Sequence, residues 1–278
     1  MTDELFSVAG QVVLVSGGSR GIGRALAAGF AARGAQVIIT GRERATLEKT
    51  AAEISTSQVS TSQASTAPVS NSQVPVYPIV CDVANPQSIQ ELVAEAVEKF
   101  SRIDSLLNVA GVNKRQRVET FTADEFDFIL DINMKGAFLL ANETGRHMLR
   151  RGGGGTIINI GSLNTYAPLK GVLPYAMSKA GINMMTRGMA MEWGDSGIRV
   201  NAIAPGFILT DLTRKLWSEP TMQAWGLANT PLKRLGAVDD MLGAAIFLAS
   251  KGSAFMTGQV VYVDGGMTAG LMWPIALG

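Results

Sequence analysis

The chain has 278 residues, 24 basic and 23 acidic side chains, a net charge of +1, and 17% charged against 47% hydrophobic residues. An average globular chain is about 25% charged, so the composition implies much buried backbone and excludes disorder throughout. No basic block is present, so binding to nucleic acid or to an anionic membrane is not expected. One cysteine, Cys81, and one histidine, His147, leave neither a disulfide framework nor a metal site to expect. The acidic opening Met1-Thr2-Asp3-Glu4 is unlike a secretory signal, and no apolar run is long enough to span a bilayer. The expectation is a cytoplasmic protein.

Short β-branched runs alternate with amphipathic stretches. Val12–Val15, between Gly10 and Gly17-Gly18, reads as a buried parallel strand, and residues 21–33 as a helix with Gly34 as its stop. Strand Val37–Ile39, helix Ala45–Ile54, strand Val76–Val80, helix Ile89–Phe100 and strand Ser105–Val109 follow. Thr122–Leu149 is a long helical region with a break near Gly136. Strand Thr156–Ile160, helix Pro174–Trp193, strand Arg199–Ile203, helix Asp239–Ala249 and strand Val260–Val263 complete the series. Seven strands separated by helices predict one α/β domain over residues 1–278. It would be a Rossmann-type, doubly wound parallel sheet of seven strands with helices on both faces. Ligands of such sheets bind beyond the carboxyl ends of the strands.

Two segments break this rhythm. Residues 55–74 repeat a Ser/Thr/Gln-rich five-residue unit that cannot build a core, and are expected to be a solvated inserted loop. Residues 207–234 show no clear period and follow a strand end, as a substrate lid would. Their Leu212, Leu216, Trp217, Met222 and Trp225 would either close the site or pack against the body or a neighbouring subunit.

After the first strand comes Ser16-Gly17-Gly18-Ser19-Arg20-Gly21-Ile22-Gly23. Glycines at 17, 21 and 23 allow a tight turn and close backbone approach to a pyrophosphate. The following helix N-terminus offers free N–H groups. The end of the second strand selects the dinucleotide, because a carboxylate there would pair with the ribose hydroxyls of NAD. Here the chain runs Thr40-Gly41-Arg42-Glu43. Arg42 and Arg20 can fork onto a 2′-phosphate, which favours NADP(H) over NAD(H); Glu43 is the residue that would serve NAD instead.

Tyr175-Ala176-Met177-Ser178-Lys179 places a phenol and an ammonium four apart on one helix face. A free phenol, pKa about 10, is a poor base at neutral pH, and a lysine cation would bring it toward the working range. Ser162, just past the fifth strand, can donate to the same carbonyl oxygen, and Asn133 can hold a water leading to Lys179.

Gly17…Gly21-x-Gly23, Asn108-x-Ala110-Gly111, Asn133, Ser162, Tyr175-x-x-x-Lys179 and Pro205-Gly206 together resemble the short-chain dehydrogenase/reductase family. The resemblance covers the chain apart from the insert. It implies a catalytic tetrad of Asn133, Ser162, Tyr175 and Lys179, and a cofactor site that includes Asp82 and Val83 near the adenine. Ile208 and Thr210 would lie against the carboxamide and phosphates. It also implies a homotetramer or homodimer. One departure is Val109, where the family usually has a second asparagine; altered local hydrogen bonding is expected there.

Within the family the chain looks closest to the gluconate 5-dehydrogenase (5-keto-gluconate reductase) branch. The likeness lies in Leu5–Gly10, Thr210-Asp211-Leu212-Thr213, Ala224-Trp225 with Thr230-Pro231, and Gly243–Leu248. After Ser162, however, the chain has Leu163-Asn164-Thr165-Tyr166 where that branch has Ser-Glu-Leu. A different sugar acid or another carbonyl substrate is therefore open, with a 3-oxoacyl-thioester reductase, a general carbonyl reductase and a non-enzymatic NADP sensor as alternatives. Arg115, within Lys114-Arg115-Gln116-Arg117, is a candidate for a substrate carboxylate unless that run is a passive charged loop. Asn164 and Trp217 are the other candidate substrate contacts. The apolar tail Met267–Leu277 is expected to pack across a subunit interface.

Overall fold

A computed structural model describes residues 4–62 and 75–273. Seven strands, β1 (Val12–Ser16), β2 (Gln36–Gly41), β3 (Tyr77–Val80), β4 (Ser105–Asn108), β5 (Gly155–Ile160), β6 (Ile198–Pro205) and β7 (Val260–Val263), form one sheet. The order is β3-β2-β1-β4-β5-β6-β7 and every pairing is parallel. The order reverses between β1 and β4, whose register runs from Val13 opposite Ser105 to Ser16 opposite Asn108. That reversal opens a crevice above the two strand ends.

Both faces of the sheet are covered, which is why the strands read as continuous apolar runs. Val13, Val15, Val37, Ile39, Leu107 and Ile158 point to one side. They meet Leu26, Ala27 and Phe30 of helix α1 (Gly21–Ala31), and Leu47, Ala51 and Ile54 of α2 (Arg44–Ser62). The alternate residues Val12, Leu14, Ile38, Leu106 and Ile157 face α3 (Pro86–Phe100) through Ile89, Leu92 and Val93. Each such side chain, fully buried, contributes roughly 1.5–3 kcal/mol. Asn85 caps α3 by accepting from Gln87 N (2.9 Å) and Ser88 N (3.3 Å), with Pro86 in the first turn. The helix therefore starts three residues before the periodicity at Ile89.

The helical region after β4 is not one helix. Thr122 and Glu125 form a capping box for α4 (Ala123–Leu130). A π-helical turn, Asp131–Gly136, then leads into α5 (Ala137–Arg151). The break foreseen near Gly136 is thus an inserted residue in the winding rather than an end. α6 (Leu173–Trp193) covers the same face of the sheet, burying Met189 and Ala190.

Two expectations need correction. The Ser/Thr/Gln-rich segment is not loop from its start, because α2 continues to Ser62; residues 63–74 lie outside the described residues. Residues 207–234 are not irregular: they contain α7 (Arg214–Trp217) and α8 (Pro220–Ala228), two pieces too short to show a period around Pro220. A last helix, α9 (Leu242–Ala249), precedes β7. Of the apolar tail, Leu271 and Trp273 are 97% and 74% exposed; residues 274–278 lie outside the described residues.

Gly136 is where the π-turn meets the loop after β3. A Cβ there would lie 2.4 Å from the Val83 carbonyl oxygen. Alanine would gain about 1 kcal/mol of helix propensity, but a clash with backbone costs about 1–3 kcal/mol. Gly136→Ala is therefore expected to destabilise the fold by up to about 2 kcal/mol, measurable as a lower urea midpoint at unchanged m-value.

Candidate active site

The loops after β1, β4, β5 and β6 converge on the crevice. Gly17 (φ +66°) turns the chain out of β1, and a Cβ on it would touch the Ala110 Cα at 2.9 Å. Ser16 Oγ accepts from Val109 N (2.9 Å) and Ala110 N (3.1 Å), tying β1 to the end of β4. Gly23 packs on the turn itself, its would-be Cβ 2.2 Å from the Gly17 carbonyl oxygen. The α1 N-cap, Arg20, makes no side-chain capping bond. The first N–H groups of α1, around Gly21 and Ile22, are thus left for an outside acceptor. A Cβ on Gly21 (φ +53°) would lie 3.8 Å from Thr210 Cβ, so the segment after β6 closes over the glycine turn. These positions fit a dinucleotide's phosphates: a cradle of backbone that any side chain would fill, under an uncapped helix end.

Ser19 faces Gly41, and its carbonyl accepts from Thr50 Oγ1 at 3.2 Å. Arg20 and Arg42 are exposed and form no ion pair among the described residues. Glu43, by contrast, accepts from Thr46 Oγ1 at 2.5 Å, which holds its carboxylate at the start of α2. Asp82 accepts from Ala84 N at 3.0 Å and turns the chain after β3, with Val83 buried beside it. Asn108 is a supporting residue: Nδ2 donates to Ala137 O (2.8 Å) and Asn159 Oδ1 (3.3 Å), while Oδ1 accepts from Ser16 Oγ (3.3 Å). Its side chain is used up inside the sheet, so only its backbone can face a ligand. Val109 puts an apolar side chain against the core there, and its N–H still finds Ser16.

Lys179 is buried, and its Nζ donates to Ile160 O at 2.7 Å. A Cβ on Gly111 would meet Asn133 Oδ1 at 3.3 Å and Lys179 Nζ at 3.7 Å, which places all three at one point. Burial pulls the Lys179 pKa down to about 8. Nζ lies 5.7 Å from the centre of the Tyr175 ring. Burial pushes the Tyr175 phenol above its usual value, against a Ser162 hydrogen bond and the Arg115 charge, which both lower it. Burial is the largest influence on the phenol, and it acts opposite to the lowering expected from a lysine cation.

The π-turn aims Asn133 at the loop after β4. Nδ2 donates to Val112 O (2.8 Å) and Ser178 Oγ (3.1 Å), and Oδ1 accepts from Val112 N (2.7 Å). With both N–H groups committed, the side chain is a clamp, and a water could reach it only through the second lone pair of Oδ1. Ser178, a residue inside the Tyr-to-Lys run with no signal of its own in the sequence, is the clamp's third point and donates to Tyr175 O at 2.7 Å. Only the fold shows its partner, Asn133, 45 residues earlier.

Ser162 lies buried two residues past β5, with Asn164 against its hydroxyl. Pro205 ends β6 and Gly206 follows it; a Cβ on Gly206 would lie 2.5 Å from Asp264 Cα. Ile208 is buried and pairs with Gly236. Trp217 is also buried, packed with Leu163 and with Phe207 at 5.1 Å, which is the packing alternative rather than an open substrate contact. Of the basic run, Lys114 pairs with Glu125 and Arg117 with Glu119. Arg115 is exposed, has no ion pair among the described residues, and its charge reaches Tyr175.

Residues 17–268 match the family model described as Enoyl-(Acyl carrier protein) reductase. The chain is 35% identical over 268 residues to gluconate 5-dehydrogenase of Gluconobacter oxydans (strain 621H), covering 96% of this chain and 98% of that one. It is also 35% identical to 5-keto-D-gluconate 5-reductase of Escherichia coli (strain K12), over 95% and 98%. A gluconate 5-dehydrogenase from Burkholderia cenocepacia J2315, crystallised with NADP and tartrate, superposes with a TM-score of 0.86 at 34% identity, over 96% and 99%.

The buried ammonium has a consequence for stability. Lys179 titrates near 8 in the folded chain and at its usual 10.5 unfolded. Below pH 8 both states hold the proton and the full penalty of burying it is present. From 8 to 10.5 only the unfolded state holds it, so the penalty is relieved as pH rises. Lys179→Met is expected to stabilise the fold at pH 7 by about 1–2 kcal/mol, the loss of the Ile160 hydrogen bond offsetting part of the gain. Urea melts at pH 7 and pH 10 should show that advantage shrinking.

Proposed function

The chain belongs to the short-chain dehydrogenase/reductase family, and from that premise we propose an NADP(H)-dependent enzyme that interconverts a ketone and a secondary alcohol on a sugar acid. The observation that bears most weight is the grouping of a half-buried Tyr175, a buried Ser162 hydroxyl and a buried Lys179 ammonium beyond the carboxyl ends of the strands. When bound, the nicotinamide supplies or accepts the hydride. Tyr175 delivers the proton to the oxygen of the reduced carbonyl, and Ser162 donates a hydrogen bond to that same oxygen. Lys179 holds positive charge beside the phenol as it becomes phenolate, and its lowered pKa lets it pass a proton on near neutral pH. Asn133 keeps the Val112 loop in place against Gly111 and Lys179.

The glycine turn and the α1 N-terminus would hold the pyrophosphate, with Asp82 and Val83 at the adenine and Pro205, Gly206, Ile208 and Thr210 at the nicotinamide end. Preference for NADP(H) is supported by Arg20 and Arg42, unpaired among the described residues past the turn and past β2, and by Glu43 being held at α2. An NADP complex of a similar enzyme agrees with it. For the substrate, Arg115 is the cation of its run left without a carboxylate partner among the described residues, and it lies within electrostatic reach of Tyr175. A sugar carboxylate would complete it, in keeping with the names of the similar enzymes. Residues 207–234 act as the lid, hinged on the Ile208–Gly236 pairing and weighted by Trp217. The exposed Leu271–Trp273 stretch supports assembly as a homodimer or homotetramer.

A panel of 5-keto-D-gluconate, other keto-sugar acids, neutral keto-sugars and 3-oxoacyl esters, followed at the nicotinamide absorbance, tests the substrate class. Sugar acids are expected to lead, and faster 3-oxoacyl turnover would shift the reading to a thioester reductase. Tyr175→Phe should leave NADPH affinity within about twofold and lower turnover by about 10²–10⁴-fold, the range for loss of a general acid. Arg42→Ala should raise the KM for NADPH by about tenfold, one charge-assisted contact, with little change for NADH.

A further inference from the structure

Ser162 opens a short turn, Leu163–Thr165, at the end of β5. A serine hydroxyl has one proton to donate and two lone pairs to accept with. Here one neighbour takes both lone pairs: Asn164 donates to Ser162 Oγ from its backbone N and from Nδ2, each at 3.1 Å. The amide is oriented by its other end, since Asn164 Oδ1 accepts from Leu169 N at 2.9 Å. A flipped amide would set Nδ2 against that N–H and lose both bonds. The turn is tied down further by Thr165, whose Oγ1 donates to Ser162 O (2.7 Å) and lies 3.2 Å from Tyr262 Oη.

With both lone pairs filled, the Ser162 hydroxyl can only donate. We infer that Asn164 is a positioning residue that makes Ser162 a one-way hydrogen-bond donor, its single proton turned to Tyr175 in the empty site and to the reacting oxygen when substrate is bound. The inference rests on the reading of Ser162 and Tyr175 given above, and it replaces the expectation that Asn164 contacts the substrate. It also divides the labour between the two hydroxyls. Ser162 cannot accept from the phenol, so the Tyr175 proton has no resting place on Ser162 and remains available to the substrate.

The test separates a rate effect from a binding effect. Asn164→Asp keeps an acceptor for Leu169 N–H but turns the Nδ2 donor into an acceptor, drawing the Ser162 proton away from the reacting oxygen. With NADPH and the best ketone of the panel above, kcat should fall about 10²-fold, the scale for losing one oxyanion donor, with KM within about twofold. The double variant Asn164→Asp/Ser162→Ala should be no slower than Ser162→Ala alone. A substrate-free readout accompanies it: Asn164→Leu frees one lone pair of Ser162 to accept from the phenol. The Tyr175 ionisation, isolated as the absorbance difference from Tyr175→Phe protein, should then move to higher pH. Additive losses in the double variant, a raised KM with kcat intact, or an unmoved Tyr175 titration would each overturn the inference. Full turnover in Ser162→Ala would instead overturn the underlying reading of the site.

Discussion

The arrangement depends on a cation kept where water is scarce. Lys179 gives up hydration to sit against Ile160 O, beside Gly111 and Asn133, and its lowered pKa records the cost. The surrounding backbone is shaped to reach it. Asn133 reaches Val112 and Ser178 only because a π-turn rotates it toward the loop after β4. Gly136 lets that turn approach the Val83 carbonyl, and Gly111 leaves room for the ammonium. A site of this kind draws on the stability of the sheet and returns none.

The sheet can bear that cost because its two faces are separately packed. Period-two alternation along β1 and β2 sends Val13, Val15, Val37 and Ile39 to one layer of helices and Val12, Leu14 and Ile38 to the other. The strand ends are thereby fixed in height and register, and the loops beyond them inherit that precision. Asn108, drawn into the sheet by Ala137, Asn159 and Ser16, shows the same principle at the rim. A polar residue in the ligand-facing motif spends its side chain on holding two strands and a helix together.

Electrostatics around the two ends of the crevice differ in kind. At the β2 end, Arg20 and Arg42 are exposed and Glu43 is turned to Thr46, which leaves net positive charge where a phosphate would sit. At the other end, a run of three cations reduces to one guanidinium unpaired among the described residues, Arg115, because Glu125 and Glu119 neutralise its neighbours. The charge pattern of a run is therefore a poor guide to its field until its partners are known.

The sequence alone determined the strand series, the doubly wound class, the glycine turn and the Tyr175–Lys179 spacing. Each is a local signal: apolar runs set by two-sided burial, glycines required by φ above zero, and two side chains one helical turn apart. Only the tertiary structure decided what the polar side chains do. That Asn133 is a clamp, that Asn164 saturates Ser162, that Trp217 is buried and that Tyr175 is raised rather than lowered all depend on contacts or burial that local spacing does not reveal. Residues 207–234 and 55–62 were misread for a related reason: two short helices around Pro220 leave too few turns to show a period, and Ser/Thr-rich helix lacks the apolar stripe by which helices are recognised. Hydrogen bonding and desolvation are set by neighbours in space, and no spacing along the chain encodes them.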